Sequence, residues 1–598
     1  MKVAGTARGV KEAISAFLWL SHHFSFSFCM DSSNYRLRAF IFVFISVFLI
    51  VTFLSLQGTF SGGRQVFDTD GPKDSGPEIS KGKGDVSSWC SLPEKLAELN
   101  DGLDSSTKFE QSSFVQRQLE RLSQAVRVAT VSYDDNGDVG IDDRWQPFFH
   151  FHDVLGDLFP LVREHVKVDS VNELGLLYTV EGSDPNLKPI MFTAHQDVVP
   201  AASPDKWSHP PFEPYYDGRF VWGRGASDCK NNLIGLLSVV EDLLSQDWKP
   251  KRTVLLAFGY DEETGGERGA AYIATELEKR YGKNGIAMVM DEGGMGLETI
   301  GDYAYARPAV AEKGYLDIIL TLEVNGGHSS RPSEHSGIGI MSEMICALEQ
   351  NPFKPRLTKT NPFRGFLECQ VRYTPNKVED WLERALLKGE DEMSIGTKLA
   401  EARGKEVRFL MQTSQAVDII NGGEKANQLP ESVRTLINYR IAPQDSIEAV
   451  KQHVEGILSP IAKKYGIALV DSFNAYSPVD EPTIEERLIL SSHEDLTPSP
   501  ISPTSISDPV WSIFSGVVRR VFEDIMGKTI IPVGDIMTGN TDTKHYWNLT
   551  KNIYRFTPAR LGARLNMHTI DERVELKAHV EGMRLYYDLM RAFQRDDL

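Results

Sequence analysis

The chain contains 598 residues, enough for about four domains at about 150 residues each. Hydrophobic residues make up 41% and charged residues 25%, which is typical of a globular protein and excludes collagen, overall disorder and a multi-span membrane protein. The net charge of −19 argues against nucleic-acid binding. The 5 cysteines are too few for a disulfide framework or a cysteine-based zinc motif, although one isolated bridge stays open.

The N-terminal region contains one long apolar run, residues 39–56, which has no charged residue and the minimum length for spanning a bilayer. Two arginines lie just before it, and positive charge favours the cytoplasmic side. We therefore predict one N-terminal transmembrane helix, with residues 1–38 in the cytoplasm and the rest in a lumen or outside. A cleaved signal peptide and a buried core helix are the alternatives. A start at Met30 would make residues 1–29 an extension of the gene model.

The residues after this run lack hydrophobic periodicity. Residues 57–85 are rich in glycine, serine, aspartate and lysine, which is typical of a flexible linker, and we predict a luminal stalk over residues 57–110. Asn548-Leu549-Thr550 is a sequon for N-glycosylation, which agrees with a luminal location, although a single match carries little weight.

Short apolar runs then alternate with amphipathic segments. Residues 189–194, 253–260 and 286–290 are typical of buried strands, and residues 231–246 have apolar side chains at helical spacing. Strands that alternate with helices predict an α/β sheet with its chemistry at the strand ends.

The pattern changes after the third of these strands. Residues 315–324 and 433–441 alternate like half-exposed strands, and residues 338–349 and 446–459 have helical periodicity, which predicts a separate α+β unit. A loop rich in serine and proline is predicted over residues 491–509, and regular patterning resumes after it.

Polar clusters accompany the predicted buried strands. His195-Gln196-Asp197 follows the first strand, Asp228 precedes the predicted helix, Asp261-Glu262-Glu263 follows the second strand and Asp291 ends the third. Each cluster alone has an ordinary explanation, such as a surface histidine, a helix N-cap or a solvated acidic turn. Adjacent carboxylates repel one another, however, and require a cation or a proton.

Together with the distant His568, these clusters supply nitrogen and hard oxygen donors that suit Zn²⁺. The set is too large for one tetrahedral zinc with an open position and suits two zinc ions that share a carboxylate. Its members are His195, Asp228, Glu263, Asp291 and His568. Glu262 is left beside a ligand, where a glutamate can act as a general base.

The stretches GRGASDCKNN and DEETGGERGA resemble the motifs of the co-catalytic zinc peptidases, a family with carboxypeptidase S, glutamate carboxypeptidase, aminoacylase and succinyl-diaminopimelate desuccinylase among its members. With the N-terminal anchor, they are most similar to the fungal vacuolar carboxypeptidase S (Gly-X carboxypeptidase) branch, over about residues 110–598. The resemblance implies a catalytic domain with a central mixed sheet flanked by helices, and an inserted α+β lid domain of the dimerisation type.

The resemblance also implies ligand roles. His195 and Asp291 would bind one zinc ion, Glu263 and His568 would bind the other, and Asp228 would bridge the two.

Three further residues receive roles from the same resemblance. Asp197 would orient His195, and Glu262 would deprotonate the attacking water and pass the proton to the leaving amine. Cys229 stands where many relatives have a second aspartate, and the family has a cis peptide bond after the bridging Asp228. Ligation by the Cys229 thiol stays open.

The lid carries the remaining candidates. His328, in the stretch GGHSSRP, would polarise the scissile carbonyl, often across a dimer in relatives, and Asn427 and Arg440 match lid positions that hold the free carboxylate of the substrate. A turn histidine, a capping asparagine and a surface arginine are the ordinary alternatives. Residues 541–544 resemble a substrate-facing turn of the family.

The predicted organisation has six segments. They are a cytoplasmic N-terminus (1–38), a transmembrane signal anchor (39–56), a luminal stalk (57–110), the N-terminal half of the catalytic domain (111–311), the lid domain (312–465) and the C-terminal half of the catalytic domain (466–598).

The function implied by the resemblance is a membrane-anchored di-zinc metallocarboxypeptidase that cleaves the last peptide bond of short peptides in the vacuolar lumen. Its partners would be peptides with a free carboxylate and the membrane, and a homodimer through the lid is left open. An N-acyl amino acid hydrolase or synthase of the same family is the first alternative. A non-catalytic receptor on a peptidase fold is the second, and the complete ligand set argues against it.

Overall fold

The computed structural model describes residues 86–471, residue 473 and residues 486–596. The predicted transmembrane segment at residues 39–56 lies outside the described residues. Within the described portion of the chain, none of the helices has the length and hydropathy needed to cross a bilayer.

The helices follow in chain order as α1 Ser112–Arg127, α2 Gln146–Leu158, α3 Pro160–His165, α4 Lys230–Ser245, α5 Ala270–Tyr281, α6 Gly337–Gln350, α7 Pro362–Tyr373, α8 Leu382–Lys388, α9 Glu392–Arg403, α10 Lys405–Phe409, α11 Ile447–Tyr465, α12 Pro509–Met526 and α13 Leu576–Ala592. The strands are β1 Lys167–Val171, β2 Gly175–Val180, β3 Ile190–His195, β4 Tyr215–Tyr216, β5 Phe220–Trp222, β6 Val254–Gly259, β7 Met288–Asp291, β8 Leu297–Ile300, β9 Tyr303–Ala306, β10 Ala309–Glu312, β11 Gly314–Glu323, β12 Gly327–His328, β13 Ser414–Gly422, β14 Gln428–Leu429, β15 Ser432–Ile441, β16 Ala468–Asp471, β17 Arg487–Leu496, β18 Thr529–Pro532, β19 Asp535–Met537, β20 Ile553–Arg555, β21 Arg564–Leu565 and β22 Arg573–Glu575.

The main sheet has eight strands in the order β1-β2-β6-β3-β7-β20-β10-β19. β3 pairs in parallel with β6 and β7, whereas β2 is antiparallel to β6, so the predicted central sheet is mixed. All residues of β3, β6 and β7 are buried, which explains their continuous apolar runs. Because parallel strands end at the same edge, the polar residues that follow β3, β6 and β7 meet there.

The helix predicted over residues 231–246 is α4, and its leucines and valines enter the main hydrophobic core. The C-terminal α13 packs against α4 and α12, and all its residues except Lys577 are buried. These contacts hold α4, which begins two residues after Asp228, against the C-terminal helix α13.

The lid has a five-stranded sheet in the order β13-β15-β11-β17-β16, and α6 and α11 pack against it. Buried and half-buried residues alternate at the start of β11 and along β15, as the sequence predicted. The lid sheet, however, runs through β17 to Leu496, past the predicted boundary at residue 465. The loop predicted over residues 491–509 accordingly starts only after Leu496.

Two predicted boundaries change because of packing. Helices α7 to α10 lie within the predicted lid range, but their core includes Phe363 and Phe366 together with Ile531 and Ile536 of the catalytic domain. Residues 86–110 do not form a stalk, since Phe109 is fully buried and neighbouring leucines pack on the main core. A disulfide between Cys90 and Cys369 joins this N-terminal segment to α7 and is the bridge that the sequence could not assign.

Candidate metal centre

The strand ends deliver the predicted ligands to one place. His195 ends β3, Glu262 and Glu263 form a turn after β6, Asp228 precedes α4, and His568 lies between β21 and β22. Three groups have ligand atoms within 4.8 Å of one another: His195–Asp228–Cys229, His195–Glu262–Glu263, and Asp228–Glu263–His568. The structure therefore brings residues together that are up to several hundred positions apart in the sequence.

Asp228 lies between the two histidines. Its Oδ1 is 3.4 Å from Nε2 of His195, and its Oδ2 is 3.1 Å from Nε2 of His568. Glu263 Oε2 is also 3.1 Å from His568 Nε2. The peptide bond between Asp228 and Cys229 is cis, as the resemblance implied. Each carboxylate oxygen of Asp228 thus faces one imidazole, which is the arrangement that a shared carboxylate requires.

Four buried carboxylate oxygens in this region have no hydrogen-bond partner among the described residues: Oε1 of Glu263, Oδ2 of Asp291 and both oxygens of Asp542. Burial raises the pKa of Glu263, and it raises the pKa of Asp291 to about 6. Unpaired buried carboxylates are costly unless a cation binds them. The nitrogen and oxygen donors present suit zinc, so the residues fit the predicted metal.

Asp291 is placed differently from the other predicted ligands. It ends β7 and interacts electrostatically with His195, but it belongs to none of the three close groups. Its Oδ1 accepts a hydrogen bond from the backbone N–H of Glu292 at 2.8 Å, whereas its buried Oδ2 has no partner among the described residues.

Asp197 contacts both His195 and the turn that carries Glu262 and Glu263. Its carboxylate accepts hydrogen bonds from the backbone N–H groups of Glu262 and Glu263, both at 3.1 Å, and from the Ser132 hydroxyl at 2.7 Å. The Nδ1 of His195 lies 3.0 Å from the Asp197 carbonyl oxygen and 3.3 Å from its Oδ1. Nδ1 therefore carries the hydrogen, and Nε2 presents its lone pair to the centre.

Glu262 and Cys229 flank His195. The Oε2 of Glu262 is 3.9 Å from His195 Nε2, and burial raises the pKa of Glu262 well above its usual range. The Cys229 sulfur accepts the backbone N–H of His195 at 3.2 Å, and burial raises the pKa of the thiol. Glu262 is thus a largely buried carboxylate that can hold a proton close to His195.

The comparisons with known proteins agree with this geometry. A family model described as "Peptidase family M20/M25/M40" matches residues 191–592. Carboxypeptidase S of Saccharomyces cerevisiae is 38% identical over 568 residues, which cover 92% of this chain and 96% of that protein. The chain belongs to this peptidase family.

Two further proteins are similar to this chain. The mouse (Mus musculus) N-fatty-acyl-amino acid synthase/hydrolase PM20D1 is 29% identical, covering 79% of this chain and 87% of that protein. The crystal structure of Sso-CP2, an M20 family metallo-carboxypeptidase from Sulfolobus solfataricus, aligns with a TM-score of 0.52 at 16% identity, covering 80% of this chain and 99% of that one. The latter likeness concerns the fold.

The candidate substrate-binding residues of the lid, His328, Asn427 and Arg440, belong to none of the three groups of possible metal ligands. His328 is exposed on β12, and its Nδ1 accepts hydrogen bonds from the backbone N–H of Ser330 at 3.1 Å and the Ser330 hydroxyl at 2.8 Å. Its Nε2 therefore carries the hydrogen and can donate. Asn427 lies beside it, because the Asn427 carbonyl accepts the Ser329 N–H at 3.2 Å and β12 pairs with β14.

Arg440 occupies a third position, on β15. Its Nη1 donates to Oδ1 of Asn540 at 3.1 Å, and its guanidinium lies 5.6 Å from the Tyr315 ring centre. Asn540 directly precedes the predicted substrate-facing turn, where Asp542–His545 forms a short helical turn. The structure thus places Arg440 at the contact between the lid and the catalytic domain rather than beside His328.

The sequence reasoning missed several residues with important contacts, namely Ser132, Ser330, Asn540 and Glu572, a buried carboxylate that accepts a hydrogen bond from the Asp228 backbone N–H at 3.0 Å. None of them is marked by hydrophobic periodicity. Two of them could have been found by their closeness in sequence to a candidate: Ser330 lies two residues after His328, and Glu572 lies four residues after His568. Ser132 and Asn540 had no such signal, because only folding brings them to their partners.

Proposed function

We propose that the chain is a two-zinc metallocarboxypeptidase that removes the C-terminal residue from short peptides of the Gly-X type. The observation that carries this proposal is Asp228, whose two oxygens face His195 and His568, with Oε2 of Glu263 also 3.1 Å from His568. The 38% identity with carboxypeptidase S, over nearly all of that protein, favours this substrate class.

Five residues would hold the metal. His195 and Asp291 would bind one ion and Glu263 and His568 the other, with Asp228 shared. Zinc bound there would supply Lewis acidity that polarises the scissile carbonyl and lowers the pKa of water.

The chain's own groups would perform the proton transfers. Glu262 would take a proton from the attacking water and deliver it to the leaving amine, a role that suits a buried carboxyl with a raised pKa. Asp197 would keep His195 in the Nδ1–H form and hold the Glu262 turn in place.

The lid residues would recognise the substrate. Arg440 would pair with the free carboxylate, because its planar guanidinium can form two parallel hydrogen bonds. His328 would donate its Nε2–H to the carbonyl oxygen, where negative charge develops during the reaction. Asn427, next to His328, would add a further polar contact to the substrate.

An N-acyl amino acid hydrolase or synthase is the second candidate, because PM20D1 of the mouse matches over 87% of its length. Such a substrate has the same free carboxylate and the same type of amide bond, so Arg440 and the metal centre would serve both. The two candidates differ only in what binds on the acyl side.

The proposed location is the vacuolar membrane, with residues 39–56 as a type II signal anchor and the catalytic domain in the lumen. The Cys90–Cys369 disulfide supports an oxidising compartment. Asn548 of the sequon is exposed, which suits glycosylation. A homodimer through the lid domain belongs to the same proposal.

Hydrolysis of a blocked Gly-Leu dipeptide and of a long-chain N-acyl leucine by the purified chain, with and without a chelator, tests the function. Chelator-sensitive release of leucine from the dipeptide at the higher kcat/KM is the expected result. A strong preference for the acylated amino acid would favour the second candidate. Absence of turnover on both substrates, with metal content confirmed, would contradict both.

A further inference from the structure

Glu572 is a fully buried carboxylate four residues after His568. Its Oε1 accepts hydrogen bonds from the backbone N–H groups of Gly225 at 3.1 Å, Ser227 at 2.8 Å and Asp228 at 3.0 Å. Its Oε2 accepts a hydrogen bond from Nη1 of Arg224 at 2.6 Å. One side chain thus binds most of the turn that ends at Asp228.

Two more contacts join the same regions of the chain. The carbonyl oxygen of Glu572 accepts the Gly223 N–H at 2.9 Å. Arg564 donates from Nη2 to the Ser227 carbonyl at 2.7 Å and from Nε to the Ser227 hydroxyl at 3.1 Å. Residues 564–572, which contain His568, therefore hold the turn 223–228 from both sides.

The turn needs such support because of its own conformation. Gly223 and Gly225 have φ values of +150° and +86°, and a Cβ on Gly223 would lie 2.5 Å from a Val126 methyl carbon. Glycine gives the turn this conformation but also leaves it flexible. Without the Glu572 carboxylate, three N–H groups and a buried guanidinium would lose their acceptor, which is costly in a buried site.

We propose that Glu572 is a positioning residue of the metal centre: it holds the Asp228 turn so that the two oxygens of Asp228 face His195 and His568. Residues 564–572, which supply His568, would therefore also set the orientation of the Asp228 carboxylate. This inference rests on the proposed metal binding. It adds that the position of Asp228 depends on the segment that carries His568, although the two residues are far apart in the sequence.

The test compares three variants of the full chain with the wild type. E572A removes the acceptor, and E572Q keeps one oxygen for the backbone N–H groups but turns an amide N–H₂ toward Arg224. E575Q is the matched control, because Glu575 lies three residues further on and, among the described residues, forms its ion pairs with the exposed Arg219 and the partly exposed Arg560. For each protein, zinc affinity is measured by competition with a chromophoric chelator, and thermal unfolding is measured without metal.

We expect E572A to weaken zinc binding by about 10–100-fold, the range for residues that orient metal ligands, with E572Q intermediate and E575Q unchanged. In the assay of Gly-Leu hydrolysis, kcat of the E572 variants should rise toward the wild-type value at saturating zinc while KM stays unchanged. A lower unfolding temperature with unaltered zinc affinity would show a structural role only and overturn the proposal.

The measurements distinguish a failure of the proposed function from a failure of the positioning role. If E572A does not fold, E572Q decides, and unchanged zinc affinity in folded E572Q overturns the positioning role. If the wild type itself binds no zinc, the proposed function fails and this inference fails with it. If the wild type and E572Q bind zinc equally, only the inference is lost.

Discussion

His195 in the metal centre and His328 on the lid are both held through Nδ1, but with opposite results. His195 is buried and its Nδ1–H points to Asp197, so Nε2 offers a lone pair. His328 is exposed and its Nδ1 accepts from Ser330, so Nε2 offers a hydrogen. The same side chain thus presents a lone pair suited to a metal in one region and a hydrogen-bond donor in the other.

The difference also concerns rigidity. Asp197 makes further hydrogen bonds with Ser132 and with the turn of Glu262 and Glu263, so His195 belongs to a buried hydrogen-bond network. The described hydrogen bonds of the His328 ring involve only Ser330, on a two-stranded ribbon. We expect changes in the centre to alter metal binding or proton transfer, and changes in the lid to alter substrate binding or turnover without altering metal affinity.

The largest effect is expected at Glu262. The substitution Glu262→Gln removes the proposed base but keeps the shape of the side chain, so kcat should fall by about 10²–10⁴-fold. Metal content, measured by atomic emission on the dialysed protein, should stay at the wild-type value because Glu262 is not a proposed ligand. Wild-type kcat in this variant would contradict the role of Glu262.

A smaller loss of turnover is expected from the lid. His328→Ala removes the proposed donor to the carbonyl oxygen, and loss of one such donor costs about 10²–10³-fold in kcat. Since His328 contacts none of the described ligands, the zinc affinity should equal that of the wild type. A fall in zinc affinity would break the distinction between the two regions.

The substitution Asp197→Asn tests the metal centre, the other of the two regions compared. The amide would turn donor hydrogens toward backbone N–H groups that now donate to the carboxylate, and it would weaken the support of His195. Zinc affinity should fall by about 10–100-fold. Chelator competition measures the change, and the His328→Ala protein is the natural control. Unchanged affinity would mean that the backbone carbonyl alone orients His195.

The sequence predicted the regions with dense local signals. The apolar runs of β3, β6 and β7 and the helical spacing in α4 identified the sheet edge that carries the ligands. β17 was missed because Ser491, Ser492 and His493 are polar, and they form a strand through pairing with the distant β11. Helices α7 to α10 were assigned to the lid by their position in the chain, whereas long-range contacts attach them to the catalytic domain.

The same limit applies to the site. A candidate such as His195 is recognisable because it ends a buried strand, and Ser330 lies in the same motif as His328. Ser132, which donates to Asp197, has no pattern of its own, and its role becomes visible only in the folded chain.

The smallest effect is expected from Ser330→Ala. His328 would keep the backbone N–H of residue 330 as a donor to Nδ1 and lose only the hydroxyl, so the Nε2–H form should persist with weaker orientation. A lost hydrogen bond of this kind is worth about 1 kcal/mol, which corresponds to a fall of roughly fivefold in kcat. Because the ring is exposed, water can replace the hydroxyl and reduce the effect further. A loss as large as that of His328→Ala would show that the lid histidine depends on a fixed partner as strongly as His195 does, and the contrast between the two regions would then be wrong.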